Sequence, residues 1–138
     1  MKPKLRTLLL ALWIGGLCSL VAIVAPAVFA TAPDKHTAGQ INGQLFHLQA
    51  WFGLGFALLL LGLSERATFR TQKRFWIAVM LSAVMPLIAD LAVQPLMHQA
   101  QIDGLTSKFV TLHGLAGALY LIAALSGLVV LWVNRPAG

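Results

Sequence analysis

The sequence contains few charged residues and almost no cysteine. Only 10% of its 138 residues are charged, whereas a soluble domain carries about 25%. So few charges cannot cover the surface of a water-soluble globule of this length, which excludes a soluble fold. The single cysteine, Cys18, excludes an internal disulfide, and no CxxC motif is present to bind a metal.

Hydrophobic residues are abundant instead, at 59% of the chain with a mean hydropathy of +0.82. They form four runs, each close to the roughly 20 helical residues that cross a hydrocarbon core. No run alternates polar and apolar residues as a half-buried strand would. The runs are Thr7–Ala30, about Leu45–Leu63, about Phe75–Met97 and about Phe109–Val133. Short linkers predict an all-α integral membrane protein, an antiparallel four-helix bundle forming one domain over residues 1–138.

The net charge of +6 predicts how the bundle is oriented. Cations between apolar runs are typical of membrane topology, so nucleic-acid binding is not expected. Eight of the ten cations lie at either terminus or in the linker before the third run: Lys2, Lys4, Arg6, Arg66, Arg70, Lys73, Arg74 and Arg135. Only Lys35 and Lys108 lie at the opposite ends of the runs. The positive-inside rule predicts a multi-pass protein of the bacterial inner membrane with cytoplasmic termini, and Trp13, Trp76 and Trp132 in an aromatic belt on that side.

The stretch "PAVFATAP", residues 26–33, closes the first run and fits two structures. Residues Met1–Arg6 and Val28–Ala30 resemble the charged start and cleavage site of a secretory signal peptide. However, the apolar run from Thr7 to Ala30 exceeds the roughly 7–15 apolar residues of such a peptide. The length favours a first helix that is retained.

Small residues in the runs predict which helix faces pack inward, because close contact between helices replaces the hydrophobic effect in lipid. The predicted inward positions are Gly15, Ser19 and Ala22 in the first helix, Gly55 and Gly62 in the second, and Gly114, Ala116, Gly117, Ala123, Ala124 and Gly127 in the fourth.

Asp90 is the only acid inside a predicted span. Ionisable residues in spans are costly and usually face the interior, where they have a role. Pro86, Gln94 and Met97 follow the same helical face. Two interpretations stay open: Asp90 bonds to a neighbouring helix and fixes the bundle, or Asp90 and Gln94 form a proton or cation relay.

Three histidines are predicted at one level near the outer surface: His47, His98 and His113. Imidazole ligates metals and haem. His47, His98 and His113 with the soft ligand Met97 predict a metal site for copper or zinc. His47 and His113, with Tyr120 on the His113 face, predict a binding site for haem b. The alternative is that these histidines only bond to lipid headgroups or neighbouring carbonyls.

Motifs for catalysis are missing. The sequence has no GxSxG motif, no P-loop and no paired carboxylates at a usable spacing. The sequence therefore predicts no catalytic residue, and a protein that is not an enzyme is favoured.

Four stretches taken together resemble a known family. They are "LWIGGL" with "VAPAVFA", then "AGQINGQLF", "VQPLM" and "LHGLAGALYL". In this order they resemble the transmembrane protein 205-like proteins, whose bacterial members carry domain of unknown function 4149. Gly39, Phe46, Pro95, His113 and Gly114 match the family's pattern. The resemblance implies a four-helix membrane protein with an uncleaved first helix.

The resemblance implies no function, and it carries no motif at His47 or His98. The layout is more distantly similar to copper-resistance bundles and to haem-binding protoporphyrinogen oxidases. The leading hypothesis is a non-enzymatic protein whose outward-facing polar pocket binds or passes a metal ion or haem. The alternatives are a structural or assembly subunit of a larger membrane complex, or a homo-oligomer, and a haem-dependent membrane oxidoreductase.

Overall fold

Four long helices make up the described part of the protein. The computed structural model describes residues 3–64 and 71–134; the cations Lys2, Arg66, Arg70 and Arg135, used above for orientation, lie outside these residues. The helices are α1 (Pro3–Ser19, a π-helical turn at Leu20–Val24, then Ala25–Thr31), α2 (Lys35–Leu63), α3 (Lys73–Ile88, a π-helical turn at Ala89–Val93, then Gln94–Ile102) and α4 (Thr106–Val133). Each is long and apolar enough to cross a membrane. The predicted all-α four-span fold is confirmed.

One helix, α2, extends well beyond its predicted apolar run, whereas the other three match theirs to within a few residues at each end. α2 begins at Lys35 rather than Leu45, so the predicted polar linker over residues 31–43 is mostly helical. Asp34 caps α2 by accepting hydrogen bonds from the backbone N–H and the hydroxyl of Thr37, both at 2.8 Å. These bonds, the backbone one first, hold the pKa of the Asp34 carboxyl below its ordinary value. Hydropathy marks only the lipid-facing length of a helix, whereas caps decide where it starts.

Two π-helical turns interrupt α1 and α3 at matching places. In each turn the N–H groups reach five residues back, as from Ala25 to Leu20 and from Gln94 to Ala89. Pro26 and Pro95 follow directly and have no N–H to donate. The wider π turn accommodates the proline without ending the helix, and such turns are frequent at functional sites.

Adjacent helices in the sequence are neighbours in space, and α4 closes the ring against α1. One core cluster joins the starts of α1 and α3 to the ends of α2 and α4, through large residues such as Trp13, Phe75 and Val130. A second cluster lies around Tyr120, Leu17 and Ala89, at the level of the π turns. Because Ala89 precedes Asp90 in the chain, this second cluster lies directly beside Asp90.

Two glycines bring backbone and side chains into close approach. A Cβ atom on Gly53 would lie 2.9 Å from Nε1 of Trp13, and one on Gly127 would lie 2.7 Å from Cδ1 of Ile14. Large residues fill the inward face of α1, because Leu10, Trp13, Ile14 and Leu17 are buried at helical spacing.

Many of the small residues predicted to face inward do not. Gly127, Ala123 and Ala124 are buried as predicted. The other positions predicted to face inward are mostly exposed, and the prediction was wrong for them: Gly15, Ser19, Ala22, Gly55, Gly62, Gly114 and Gly117. Small residues carry little directional information when the opposite face of the helix is equally apolar. The core-facing Gly53 was missed for the same reason.

The predicted aromatic belt is also partly wrong. Trp13 is 1% exposed and Trp76 is 7% exposed, so both belong to the core rather than to a membrane interface. Trp132 is largely exposed, as a belt residue would be. Tryptophan near a helix end is thus compatible with either location.

Candidate functional site

A histidine–aspartate pair, His47 of α2 and Asp90 of α3, joins the two helices. Nδ1 of His47 lies 3.0 Å and 2.9 Å from the two carboxylate oxygens of Asp90. The Asp90 side chain is only 8% exposed, whereas the His47 side chain is 55% exposed. The carboxylate therefore holds one edge of the imidazole against the bundle, and the other edge reaches the outer face of α2.

The π turn of α3 places Asp90. Asp90 is the second residue of the Ala89–Val93 turn, whose neighbours Ala89 and Val93 are buried. The carboxylate lies between these buried residues and His47 of α2. The sequence placed Asp90 and His47 in the same half of the membrane, and the structure shows that they are direct partners.

Tyr120 of α4 reaches α2 through the same level of the bundle. Its hydroxyl donates a 2.9 Å hydrogen bond to the carbonyl of Phe46, the residue before His47. Its ring packs against the Phe46 ring, with centroids 4.4 Å apart. The helix segment that carries His47 is therefore held from two sides, by α3 and by α4.

Asn42 is a buried polar residue that the sequence reasoning missed. It is 4% exposed, and its Nδ2 donates a 3.2 Å hydrogen bond to the Ala25 carbonyl, next to the π turn of α1. α2 thus contacts both π turns, through Asn42 on α1 and through His47 on α3. Asn42 stands out in the sequence as a polar residue just before an apolar run, but residues 31–43 were predicted to form a linker.

The other predicted site residues do not join this pair. His98 and His113 are exposed, and His113 stacks on Phe109 with ring centroids 6.1 Å apart. Met97 is buried while its neighbour His98 is exposed, because consecutive helical residues point about 100° apart. Within residues 3–64 and 71–134, no group of three or more His, Cys, Asp or Glu is arranged to hold a metal ion.

Gln94 lies one turn beyond Asp90 on α3 and is half-buried. Its Nε2 would be 4.0 Å from a Cβ atom placed on Gly43 of α2. The amide of Gln94 therefore lies within van der Waals reach of α2 at Gly43. A polar seam runs along this contact from Gln94 to Asp90.

An apolar groove lies on the outer face of α2, beside His47. We call it the α2 groove; its lining residues are Leu48, Trp51, Phe52, Gly55, Phe56 and Leu59. Its volume is about 440 Å³. The rings of His47 and Trp51 meet edge to face, with centroids 6.2 Å apart. The exposed edge of His47 therefore stands at one end of the groove.

The family model described as "Domain of unknown function (DUF4149)" matches residues 8–106, more than half of the chain. The chain belongs to this family. The match spans α1, α2 and α3 and so contains both His47 and Asp90, and it confirms the predicted domain of unknown function. The wider link to transmembrane protein 205 stays a prediction. No curated protein and no solved structure matches the chain.

Proposed function

We propose that this DUF4149 protein binds or passes a small ligand through the imidazole of His47, without acting as an enzyme. The observation that carries the proposal is the contact of Nδ1 with both oxygens of Asp90. Histidines that bind metals usually donate their other ring N–H to a carboxylate, which fixes the tautomer and raises the basicity of the free nitrogen. Among the described residues, Nε2 of His47 has no hydrogen-bond partner.

Metal ions and haem are the ligand classes predicted from the sequence. A bare metal ion would need ligands beyond those that the described residues bring together, since only His47 and Asp90 meet. Haem supplies four nitrogen ligands of its own and needs only axial ones. Because His98, His113 and Met97 do not join the His47–Asp90 pair, they would bind the same metal ion or haem only from another copy of the chain.

An absorption spectrum and elemental analysis of the detergent-purified protein test these classes. If the ligand is haem or a metal ion, we expect a Soret band or stoichiometric metal that His47→Ala removes. His113→Ala is the matched control, since His113 is also exposed and its ring stacks on Phe109 rather than pairing with a carboxylate. Full retention of the ligand in His47→Ala would contradict ligation by His47, whereas equal loss in both variants would show that His113 supplies a second ligand from another copy of the chain.

The relay predicted for Asp90 and Gln94 belongs to the same proposal. It is supported by the position of both residues on the seam between α2 and α3. Asp90→Asn keeps the size and a hydrogen-bond acceptor for His47 but removes the charge. If Asp90 passes a proton or cation, this variant folds and loses that activity; loss of folded protein would favour a structural role instead.

The proposed orientation places this site in the outer half of the membrane. Of the cations that the structure describes, Lys4, Arg6, Lys73 and Arg74 lie at one end of the bundle. Lys35 and Lys108 begin α2 and α4 at the other end. We therefore propose cytoplasmic termini in a bacterial inner membrane. A retained α1 is supported by the place of Trp13 in the core.

A second candidate function, an assembly subunit or a homo-oligomer, is favoured by the exposed small residues. Gly15 and Ser19 on α1 and Gly114 and Gly117 on α4 face away from the bundle. Such surfaces allow close approach of another helix in lipid. Co-purification of a larger complex, lost when Gly15 and Gly114 are replaced by leucine, would support this role.

A further inference from the structure

The imidazole of His47 borders the α2 groove, because its ring contacts Trp51, one of the lining residues, edge to face. The groove lining is mainly apolar, and Trp51 and Phe52 are both well exposed on the outer face of α2. Its volume is about 440 Å³, and the groove is shallow and open on the side away from the bundle. Since α2 is a candidate membrane span, the groove opens towards lipid.

The polar end of this site limits what can occupy it. Water is scarce in the hydrocarbon core, so a polar atom there needs a partner from a protein or a ligand. An acyl chain would fill the groove but would leave Nε2 of His47 without a partner. A water-soluble ligand would satisfy Nε2 but would not enter an apolar groove that opens to lipid.

A quinone meets both requirements. Its flat ring can pack against Trp51 and Phe52, its tail stays in the lipid, and its ring oxygens form hydrogen bonds. We propose that His47 and the α2 groove form a binding site for a lipid-soluble quinone or its quinol. The proposal rests on the proposed ligand-binding role of His47 and names a ligand class different from metal ions and haem.

The contact with Asp90 leaves Nε2 of His47 free to bind either the quinone or the quinol. When neutral His47 donates its Nδ1–H to the carboxylate, Nε2 accepts a hydrogen bond from a quinol hydroxyl. When His47 is protonated, Nε2–H donates to a quinone carbonyl. The pair thus recognises the ligand by its oxygen, while the groove recognises its ring and tail.

Quenching of tryptophan fluorescence by decylubiquinone measures this binding. The full chain is placed in phosphatidylcholine nanodiscs and titrated with the quinone. We expect saturable quenching in the wild type. His47→Ala removes one hydrogen bond, and we expect about tenfold weaker binding. His113→Ala is the matched histidine control and keeps wild-type affinity.

A second pair of variants tests the groove without touching His47. Gly55 and Gly62 both lie on α2, and no atom lies within 4 Å of a Cβ placed on either. Gly55→Leu fills the groove and should abolish saturable quenching, whereas Gly62→Leu lies outside it and should preserve binding. Because neither leucine meets the bundle, both variants should fold, which a thermal melt checks.

Three results would overturn the quinone proposal. Non-saturable quenching that is equal in all variants would show partition into lipid alone. Loss of binding in Gly55→Leu but not in His47→Ala would indicate an acyl chain or a second helix in the groove. Haem or metal bound in a His47-dependent way, without saturable quinone binding, would overturn the quinone class but leave the proposed ligand-binding function of His47 in place.

Discussion

Gly127→Val destabilises the bundle by about 1–3 kcal/mol, the usual cost of adding bulk to a well-packed core. A Cβ atom at this position would lie 2.7 Å and 2.9 Å from Cδ1 and Cγ2 of Ile14, and 3.2 Å from the hydroxyl of Ser82. Ser82 has little freedom to move, because it is buried and donates a 2.9 Å hydrogen bond to the Ala123 carbonyl. The substitution therefore separates α4 from both α1 and α3.

Thermal unfolding of the detergent-solubilised protein measures this effect. Gly117→Val is the control on the same helix, since no atom lies within 4 Å of its Cβ position. Adding Ile14→Ala to Gly127→Val removes the closest contact and should recover part of the lost stability. Equal melting temperatures for the Gly127 and Gly117 variants would show that α1 and α4 do not meet as described.

His47→Ala destabilises the protein by about 1–3 kcal/mol, because it leaves the buried carboxylate of Asp90 without its hydrogen-bond partner. The exposure of His47 keeps the cost below that of a fully buried ion pair. Removing both partners, in His47→Ala with Asp90→Ala, should cost less than the sum of the single changes. Their coupling should lie at about 0.5–3 kcal/mol, as for residues in contact.

The matched control for this cycle is His113→Ala with Asp90→Ala. His113 is exposed on α4 and stacks on Phe109, so its removal alone should change stability by less than about 0.5 kcal/mol. Its effect should be additive with that of Asp90→Ala. A coupling for His113 as large as that for His47 would contradict the assignment of His47 as the partner.

The four spans were predictable because hydrocarbon thickness fixes how long an apolar helix must be. That His47 and Asp90 lie at the same level of the bundle was also predictable, since alternating helix direction sets the level of each residue along its helix. The contact between them was not, because α2 and α3 are apolar on several faces and hydropathy does not set rotation about the helix axis.

The π turns are a second reason why the contact between His47 and Asp90 was not predictable. A π turn inserts one residue, which shifts the angular position of everything after it by about 100°. Pro86, Asp90, Gln94 and Met97 were predicted on one face at regular helical spacing. In the structure Pro86 and Met97 are buried in the core, whereas Asp90 and Gln94 lie at the contact with α2.

The helix ends were predicted least well. The cap at Asp34 and the turn at Gly104, whose φ is +67°, decide where α2 begins and where α3 and α4 are separated. Both lie in polar segments that hydropathy assigns to linkers. Asn42 was overlooked for this reason, although it ties α2 to the π turn of α1.

His47 and Asp90 are in direct contact where α2 meets α3, and the proposed site depends on this contact. Solid-state NMR of the protein in lipid bilayers, with ¹⁵N-labelled histidine and ¹³C-labelled aspartate, measures the dipolar coupling between Nδ1 of His47 and the Asp90 carboxyl carbon. We expect a strong coupling that reflects the 2.9–3.0 Å contacts to the carboxylate oxygens and disappears in Asp90→Ala. No detectable coupling in the wild type, or one that survives in Asp90→Ala, would contradict the site.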